Sequence, residues 1–454
     1  MKTRNIFLAL IATALSGVMV SCDDFLDREP TSQLAPETFF TDASHLQAYA
    51  DKYYSSVLPG NSGNSYGIYA NDQGTDNQIA ANAPSYFCTG EWKVPNASGD
   101  WSFTTIYHLN FFFASVLPRF GEDLNGSGNT ITGELKSIRH YIGEMYTLRA
   151  LEYFKRYQAF GDYPIVTEPL TDNMEILTDA AKRSPRNEVA RFILSDLDKA
   201  ATLMDGKDFQ TTRINRDVAL LLKSRVALFE ATWLKYFKGS AFVPNGEDWP
   251  GKTKEYNANY QYPSGNIDNE INWFLEEAMT ASKEVAEKYK SSLTKNTGIV
   301  KQDLATTENP YFAMFGQEDL SGVKEGSGHD VALAADEGNW GVGVTRGFVQ
   351  NFLMADGLPV YAHGTYADGD GYYMGDKTIA DVRTNRDSRL TVFLKEPGQK
   401  NVLIESVSGL TNIWLDEPYP KITDGAVQYA YTTGYALRKG GAWDSKYLVQ
   451  NKCF

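Results

Sequence analysis

The chain has 454 residues, 42% of them hydrophobic and 22% charged, enough for one large domain or for two or three ordinary ones. Its net charge of −14 disfavours a nucleic-acid partner, because counterion release to Lys and Arg drives that binding. The same negative charge disfavours a protein that lies flat on the surface of an anionic membrane. Aromatic residues make up 13% of the chain. Helix packing explains most of them, whereas Tyr and Trp in polar loops are suited to stack on a ligand.

The first 22 residues have the pattern of a secretory signal that ends at a cysteine. Two cations precede an apolar stretch over residues 6–20, which is shorter than the ~20 residues that span a bilayer. Met19-Val20-Ser21-Cys22 resembles a lipobox, in which diacylglycerol alkylates the thiol before cleavage. We predict a signal peptide over residues 1–21 and lipidation of Cys22. The alternatives are an uncleaved anchor and an ordinary signal peptide. Residues 22–44 follow as the lipidated leash and the entry segment of the fold, and the leash is acidic and extended over residues 23–30.

Helical periodicity dominates the first half of the mature chain. Apolar residues recur on one face over residues 45–57, 101–116, 135–159, 185–204, 217–237 and 271–289, which predicts six helices. We expect Pro118 to end the second helix and the amphipathic third to stop at Phe160-Gly161. For the fourth we predict an N-cap at Ser184, with Pro185 at the first helical position and Glu188 completing a capping box.

Two of the predicted helices resemble each other and have one helix between them. The similar segments are Arg149–Phe154 and Arg225–Glu230. This recurrence indicates stacked helical hairpins of the tetratricopeptide type, which bury their apolar faces against their neighbours. We therefore predict a mainly α fold over residues 45–454. It is a tetratricopeptide-like superhelix with long ordered loops, such as residues 60–100 and 238–265, and minor β structure such as residues 401–406.

Two loop stretches contain the residue types that bind sugars. Aromatic faces stack on pyranose rings, while Asp, Asn and Gln bond hydroxyl groups. The first stretch offers Tyr66, Tyr69, Asp72, Gln73, Asp76, Asn77, Tyr86 and Trp92, and the second offers Tyr311, Phe312, Asp336, Asn339 and Trp340. Trp92 and Trp340 are the foremost candidates. The alternative for each aromatic ring is that it anchors its own loop.

Catalytic and metal-binding patterns are weak in this sequence. The five His residues are isolated, and His-Glu-x-x-His does not occur. We expect no enzyme activity and no cofactor. Asp368 and Asp370 alternate with glycines, but Ile379 stands where a calcium loop needs a bidentate Glu. We predict a turn there, with a weak calcium site as the alternative. Whether Cys88 and Cys453 pair stays open.

Several segments in order resemble the SusD/RagB family of outer-membrane nutrient-binding lipoproteins. They are Cys22–Asp27, Trp101 through Tyr107 to Asn110, Gly143-Glu144, Arg149-Ala150, Phe160–Pro164, Asp356-Gly357, Asn385–Leu390 and Thr433–Tyr435. The resemblance implies a helical superhelix that packs on a SusC-like TonB-dependent transporter at the outer face of the outer membrane. It also places ligand residues in loops of the two stretches above.

The resemblance also implies that the C-terminal part of the family fold is missing. Family members continue for more than a hundred residues past the segment that matches Thr433–Tyr435. A fragment, a frameshift or stop, and a naturally short variant would each explain this. The predicted function is capture of an oligosaccharide and its delivery to the transporter, with the membrane contacted only through the lipid anchor. Delivery of a peptide or another nutrient is one alternative, and a mainly structural lid of the transporter is another.

Overall fold

The computed structural model describes residues 39–58, 74–79, 90, 101–205, 213–291, 343–364, 370–394, 396 and 433–435. The chain divides into two compact units. The first comprises Met1–Leu58 with Ser98–Ser291, and the second comprises Pro59–Ala97 with Ser292–Phe454. None of the helices in the described part is long and apolar enough to cross a bilayer.

The first unit is built from helices. They are α1 (Ala43–Val57), α2 (Thr104–Phe120), α3 (Leu135–Phe160), α4 (Met174–Ala180), α5 (Arg186–Leu203), α6 (Arg216–Tyr236) and α7 (Ile267–Tyr289). Among the long helices from α3 onwards, each packs on the next, and α1 and α2 pack on α3. The predicted helical hairpins are therefore present. The predicted loop between α6 and α7 contains two 3-10 turns, Pro250–Thr253 and Glu255–Asn257.

Helix α3 lies at the centre of the first unit, and the prediction that it is amphipathic was wrong. Buried residues occur all around it from Ile138 to Tyr157, because α1, α2, α5 and α6 all contact it. Gly143 permits the closest of these contacts. A Cβ atom there would lie 2.5 Å from Met204 Cγ and 3.2 Å from the Ala200 carbonyl oxygen of α5. The helix ends at Gly161, whose φ of 68° favours glycine.

Three predicted helix boundaries were wrong. Helix α2 continues through Pro118 to Phe120, because Phe120 is buried, and Gly121 then ends it by donating to Leu117 O at 2.8 Å. Helix α7 begins at Ile267, four residues earlier than predicted, because the Asn266 side chain accepts the Asn269 N–H and caps it.

The predicted capping box of α5 was also wrong. Pro185 is the N-cap, and Ser184 instead pairs with Tyr163 through two backbone hydrogen bonds of 3.1 and 3.2 Å. The cap comes from Asp162, whose carboxylate accepts the Arg186 N–H at 2.8 Å and the Trp249 indole N–H at 2.8 Å. Burial raises the pKa of the Asp162 carboxyl, against the effect of these two hydrogen bonds. The Gly161-Asp162-Tyr163 segment thus links the end of α3 to the start of α5.

The second unit combines a minimal sheet with short helices. Strands β1 (Gln78–Ile79) and β2 (Gly343–Val344) are antiparallel, with Gln78 opposite Val344 and Ile79 opposite Gly343. Helices α8 (Arg346–Gln350), α9 (Ile379–Arg383) and α10 (Leu390–Phe393) follow in the chain. Their shared core is Val344, Val349, Ile379, Val382, Leu390, Leu394 and Tyr435. The strand predicted over residues 401–406 lies outside the described residues.

Candidate ligand-binding region

The structure describes only part of the predicted ligand-binding set. Asp76 and Asn77 lie in the described residues, with Asp76 exposed and Asn77 half-buried. The other candidates lie outside the described residues: Tyr66, Tyr69, Asp72, Gln73, Tyr86, Trp92, Tyr311, Phe312, Asp336, Asn339 and Trp340, together with Cys22, Cys88 and Cys453. These assignments therefore stay predictions.

Asp76 and Asn77 lie in a tight turn that leads into β1. The backbone N–H groups of Gly74 and Thr75 both donate to Gln78 O, at 2.8 and 3.1 Å. Gly74 has a φ of 81°, which glycine adopts without the strain a Cβ would add. The Thr75 hydroxyl accepts the Asn77 N–H at 3.1 Å. The turn thus holds Asp76 at the surface directly beside the sheet.

Residue Thr345 joins this turn to the end of β2. Its backbone N–H donates to Asn77 O at 2.8 Å, and its hydroxyl donates to Asp76 O. The same hydroxyl accepts the Phe348 N–H at 3.0 Å and so caps α8. These bonds join residues that are 269 positions apart in the sequence. The first candidate stretch therefore meets the chain five residues after Trp340, the last candidate of the second stretch.

The Thr433–Tyr435 segment holds β2 from the other side. The Val344 N–H donates to Tyr435 O at 3.1 Å, and a Cβ atom added to Gly343 would clash with the Thr433 side chain. Glycine at this position therefore allows the close approach. This segment was noted in the sequence only as a family signature, and in the structure it holds β2 in place.

Arg386 plays a similar supporting role behind β2. Its buried guanidinium donates to Val349 O at 2.6 Å and to Phe352 O at 2.7 Å, at the end of α8. The neighbouring Asn385 and Asp387 continue this link through backbone bonds to Ala355 and Leu353, each 2.8 Å long. The Asn385–Leu390 signature thus ties the segment after α8 to α9 and α10.

His363 lies between two carboxylates in this unit. Its Nδ1 is 3.0 Å from Asp370, and its Nε2 is 3.0 Å from Asp356. The hydrogen bond that His363 donates to Asp370 raises the pKa of His363 and lowers the pKa of Asp370. Asp370 also accepts the Tyr372 N–H at 2.9 Å. Asp368 lies outside the described residues, and the calcium hypothesis stays a prediction. Within the described part of the chain, no cluster of three metal-binding side chains occurs.

The first unit contains buried ion pairs that the sequence did not reveal. Arg149 donates to both carboxylate oxygens of Asp196 at 2.7 and 2.8 Å, and to the Asn110 amide oxygen at 3.0 Å. Comparable pairs join Arg186 to Glu230, Arg191 to Glu270 and Arg213 to Glu144. Most of them join two helices, whereas Arg213 lies just before α6 and is joined to Glu144 of α3. The predicted repeat does not extend to these ion pairs, because Arg225, which corresponds to Arg149 in the second segment, is exposed.

The packed helical hairpins define the chain as a tetratricopeptide-type repeat protein with inserted loops. Residues 24–228 match the profile of the SusD-like family, described as starch-binding and associating with the outer membrane. This match agrees with the resemblance to the SusD/RagB family seen in the sequence, and the predicted mainly α fold class is confirmed.

Individual relatives are distant and longer. SusD-like protein P2 of Formosa agariphila is 24% identical over 54% of this chain and 46% of its own length. SusD-like protein P25 of the same organism is 25% identical over 51% of this chain and 44% of its own length. The chain thus spans less than half the length of these curated relatives. A crystal structure of a SusD-like protein from Bacteroides fragilis has the same fold, with a TM-score of 0.54 at 19% identity over 90% of this chain and 72% of its own.

Proposed function

We propose that the chain is a non-catalytic glycan-binding lipoprotein that captures an oligosaccharide at the cell surface and delivers it to a SusC-like TonB-dependent transporter. Two findings support the proposal: the match to a family described as starch-binding and outer-membrane associated, and the tetratricopeptide-like fold. The sequence adds the predicted lipidation site, Cys22, and the two aromatic loop stretches.

The observation that carries the proposal is the pairing of β1 with β2. A sugar site built from two distant stretches requires that the fold bring them together. Gln78 lies opposite Val344, and Thr345 is bonded to both Asp76 and Asn77. Asn77 directly precedes β1. Asn339 and Trp340 precede β2 by only a few residues in the sequence. Bonds between Asp76-Asn77 and the residues just after the second stretch support a site that draws on both stretches.

The proposed chemistry is stacking combined with hydroxyl recognition. Trp92 and Trp340 offer flat apolar faces to pyranose rings, and each aromatic contact adds roughly 0.5–1.5 kcal/mol beyond the area that it buries. The amides of Asn77 and Asn339 each offer a donor and an acceptor to hydroxyl groups. These roles require neither a metal ion nor a catalytic carboxylate pair, so capture without cleavage is the expected outcome.

The proposed anchor explains how capture is coupled to transport. Acyl chains on Cys22 would hold one end at the membrane, because each buried methylene contributes about 0.8 kcal/mol. The acidic leash over residues 23–30 would then let the body move while it stays at a high effective concentration near its transporter.

A glycan array followed by titration calorimetry tests the proposed function. The expected result is saturable binding of one family of oligosaccharides, with the oligosaccharide intact after incubation. Tyr236→Ala is the control variant, because it removes an exposed aromatic ring of α6 that lies outside the two loop stretches. Binding of peptides instead of glycans, or release of shorter sugars, would contradict the proposal. Co-purification with the transporter tests the delivery step separately.

A further inference from the structure

A groove of about 580 Å³ runs along α5 in the first unit. One face of α5 lines it, because residues 191, 194, 195, 198, 199 and 202 recur at helical spacing. Trp273 of α7 closes one side of the groove, and Arg139 of α3 with the segment Asp123–Asn125 closes the other. All of these residues lie in the described part of the first unit. The groove is thus separate in sequence from the two loop stretches, and it goes beyond the proposed function.

The positive charges of two groove residues, Arg139 and Lys199, are only weakly compensated by carboxylates. The Arg139 guanidinium donates to the carbonyl oxygens of Thr202 at 3.1 Å and of Leu124 and Asn125 at 3.4 Å, and among the described residues no carboxylate forms an ion pair with it. Lys199 Nζ is 3.7 Å from Asp196 Oδ1, but both oxygens of that carboxylate already accept from Arg149. With Arg191, the groove is lined by three cations and by two carboxylates, Asp123 and Asp198.

The acidic residues of the groove are already bonded. The Asp198 carboxylate is 2.6 Å from Lys223 Nζ, and Asp123 accepts from the backbone and side-chain amides of Asn125. These carboxylates therefore contribute less repulsion to an incoming anion than free ones would. Ser195 is exposed on the same face of α5 and offers a hydroxyl to the groove.

Trp273 supplies an aromatic wall beside these cations. The Arg191 guanidinium lies 3.6 Å from the centre of its ring and is held there by two hydrogen bonds to Glu270, of 2.7 and 2.8 Å. Hydrogen bonds from Arg191, Asn187 and Ser264 lower the pKa of Glu270 despite burial, so this support is ionised at neutral pH. Leu194 lies at the base of the groove and is almost fully buried. A pyranose ring fits such a wall through its apolar face, with its polar substituents turned outward.

We propose that this groove binds an acidic sugar unit, a pyranose that carries a carboxylate or a sulfate group. The anionic group contacts Lys199 and Arg139, and the ring packs against Trp273. The inference rests on the proposed function only in taking the ligand to be a saccharide. It assigns a second site, which selects charged glycans independently of the loop residues.

Calorimetry with three probes tests the inference on the full chain: trigalacturonate, a sulfated galactose trisaccharide and uncharged galactotriose. At low salt we expect at least one charged probe to bind, more tightly than the uncharged one and less tightly in 1 M NaCl, because salt screens the contact. Lys199→Gln should weaken binding of that probe about tenfold, as expected for loss of one charge-assisted contact, whereas Lys199→Arg should retain it. Lys235→Gln removes an exposed charge on α6 and should change nothing.

A second variant distinguishes the loss of a ligand contact from a folding defect. Ser195 is exposed, so Ser195→Glu should leave the melting temperature unchanged while its negative charge abolishes binding of the acidic probe. Binding of only one charged probe identifies its anionic group as the ligand. The inference is overturned if neither charged probe binds, or if Lys199→Gln and Ser195→Glu bind like the wild type. If neutral glycans still bind in that case, the proposed function survives while the groove inference fails.

Discussion

Arg149 shows how a residue in a family signature can be structural. Its guanidinium is buried, bonded to Asp196 and Asn110, and lies 4.3 Å from the centre of the Phe113 ring. Burial alone would lower its pKa, but the charge and hydrogen bonds of Asp196 outweigh burial and raise it. Arg149 therefore stays charged and joins α3, α5 and α2 through one side chain. The sequence indicated that Arg149 lies on a helix, whereas nothing in its spacing indicated Asp196 as the partner.

Asp196→Asn should destabilise the first unit strongly. Loss of the carboxylate leaves a buried guanidinium without its counter-charge, and breaking such a pair costs roughly 3–5 kcal/mol. Asp198→Asn on the same helix is the matched control, because Asp198 is exposed and Lys223 keeps Glu277 as a partner, so the loss should be at most about 1 kcal/mol. Urea unfolding of both variants measures the difference. Equal losses of stability would contradict the structural role of the buried pair.

At the scale of elements, periodicity located the helices well and their ends less well. All six predicted helices are present, because apolar spacing reports which face is buried. The errors arose where another element supplied the decisive group: buried Phe120 extends α2, and Asp162 rather than Ser184 caps α5. The burial of α3 was also predicted wrongly. Burial on every side depends on how many helices pack around α3, and the local sequence does not report this number.

Gly143→Ala tests the close packing of α3 against α5. Alanine is the better helix former, so local propensity alone predicts stabilisation. The added Cβ would nevertheless meet Met204 Cγ at 2.5 Å and Ala200 O at 3.2 Å, and overpacking of this kind costs roughly 1–3 kcal/mol. Gly128→Ala is the control, since open space surrounds that Cβ position. A melting temperature that rises in Gly143→Ala would contradict the assigned packing.

At the scale of the whole molecule, the sequence indicated the residue types of the site better than their arrangement. Tyr, Trp, Asp and Asn in polar loops marked two stretches, but nothing local predicts that residues 269 positions apart are bonded. The strands that join them have two residues each, too short for an alternating pattern. The predicted boundaries, a signal peptide over residues 1–21, a leash over 22–44 and one domain over 45–454, stay predictions.

A double-mutant cycle with Trp92→Ala and Trp340→Ala tests most directly whether the two stretches form one glycan site. Affinity for the best glycan of the array is measured by calorimetry in the wild type, both single variants and the double variant. We expect each single change to weaken binding while the melting temperature stays constant. The two losses should not be additive, because residues that share a ligand couple by about 0.5–3 kcal/mol. Unchanged binding in both single variants would contradict this expectation.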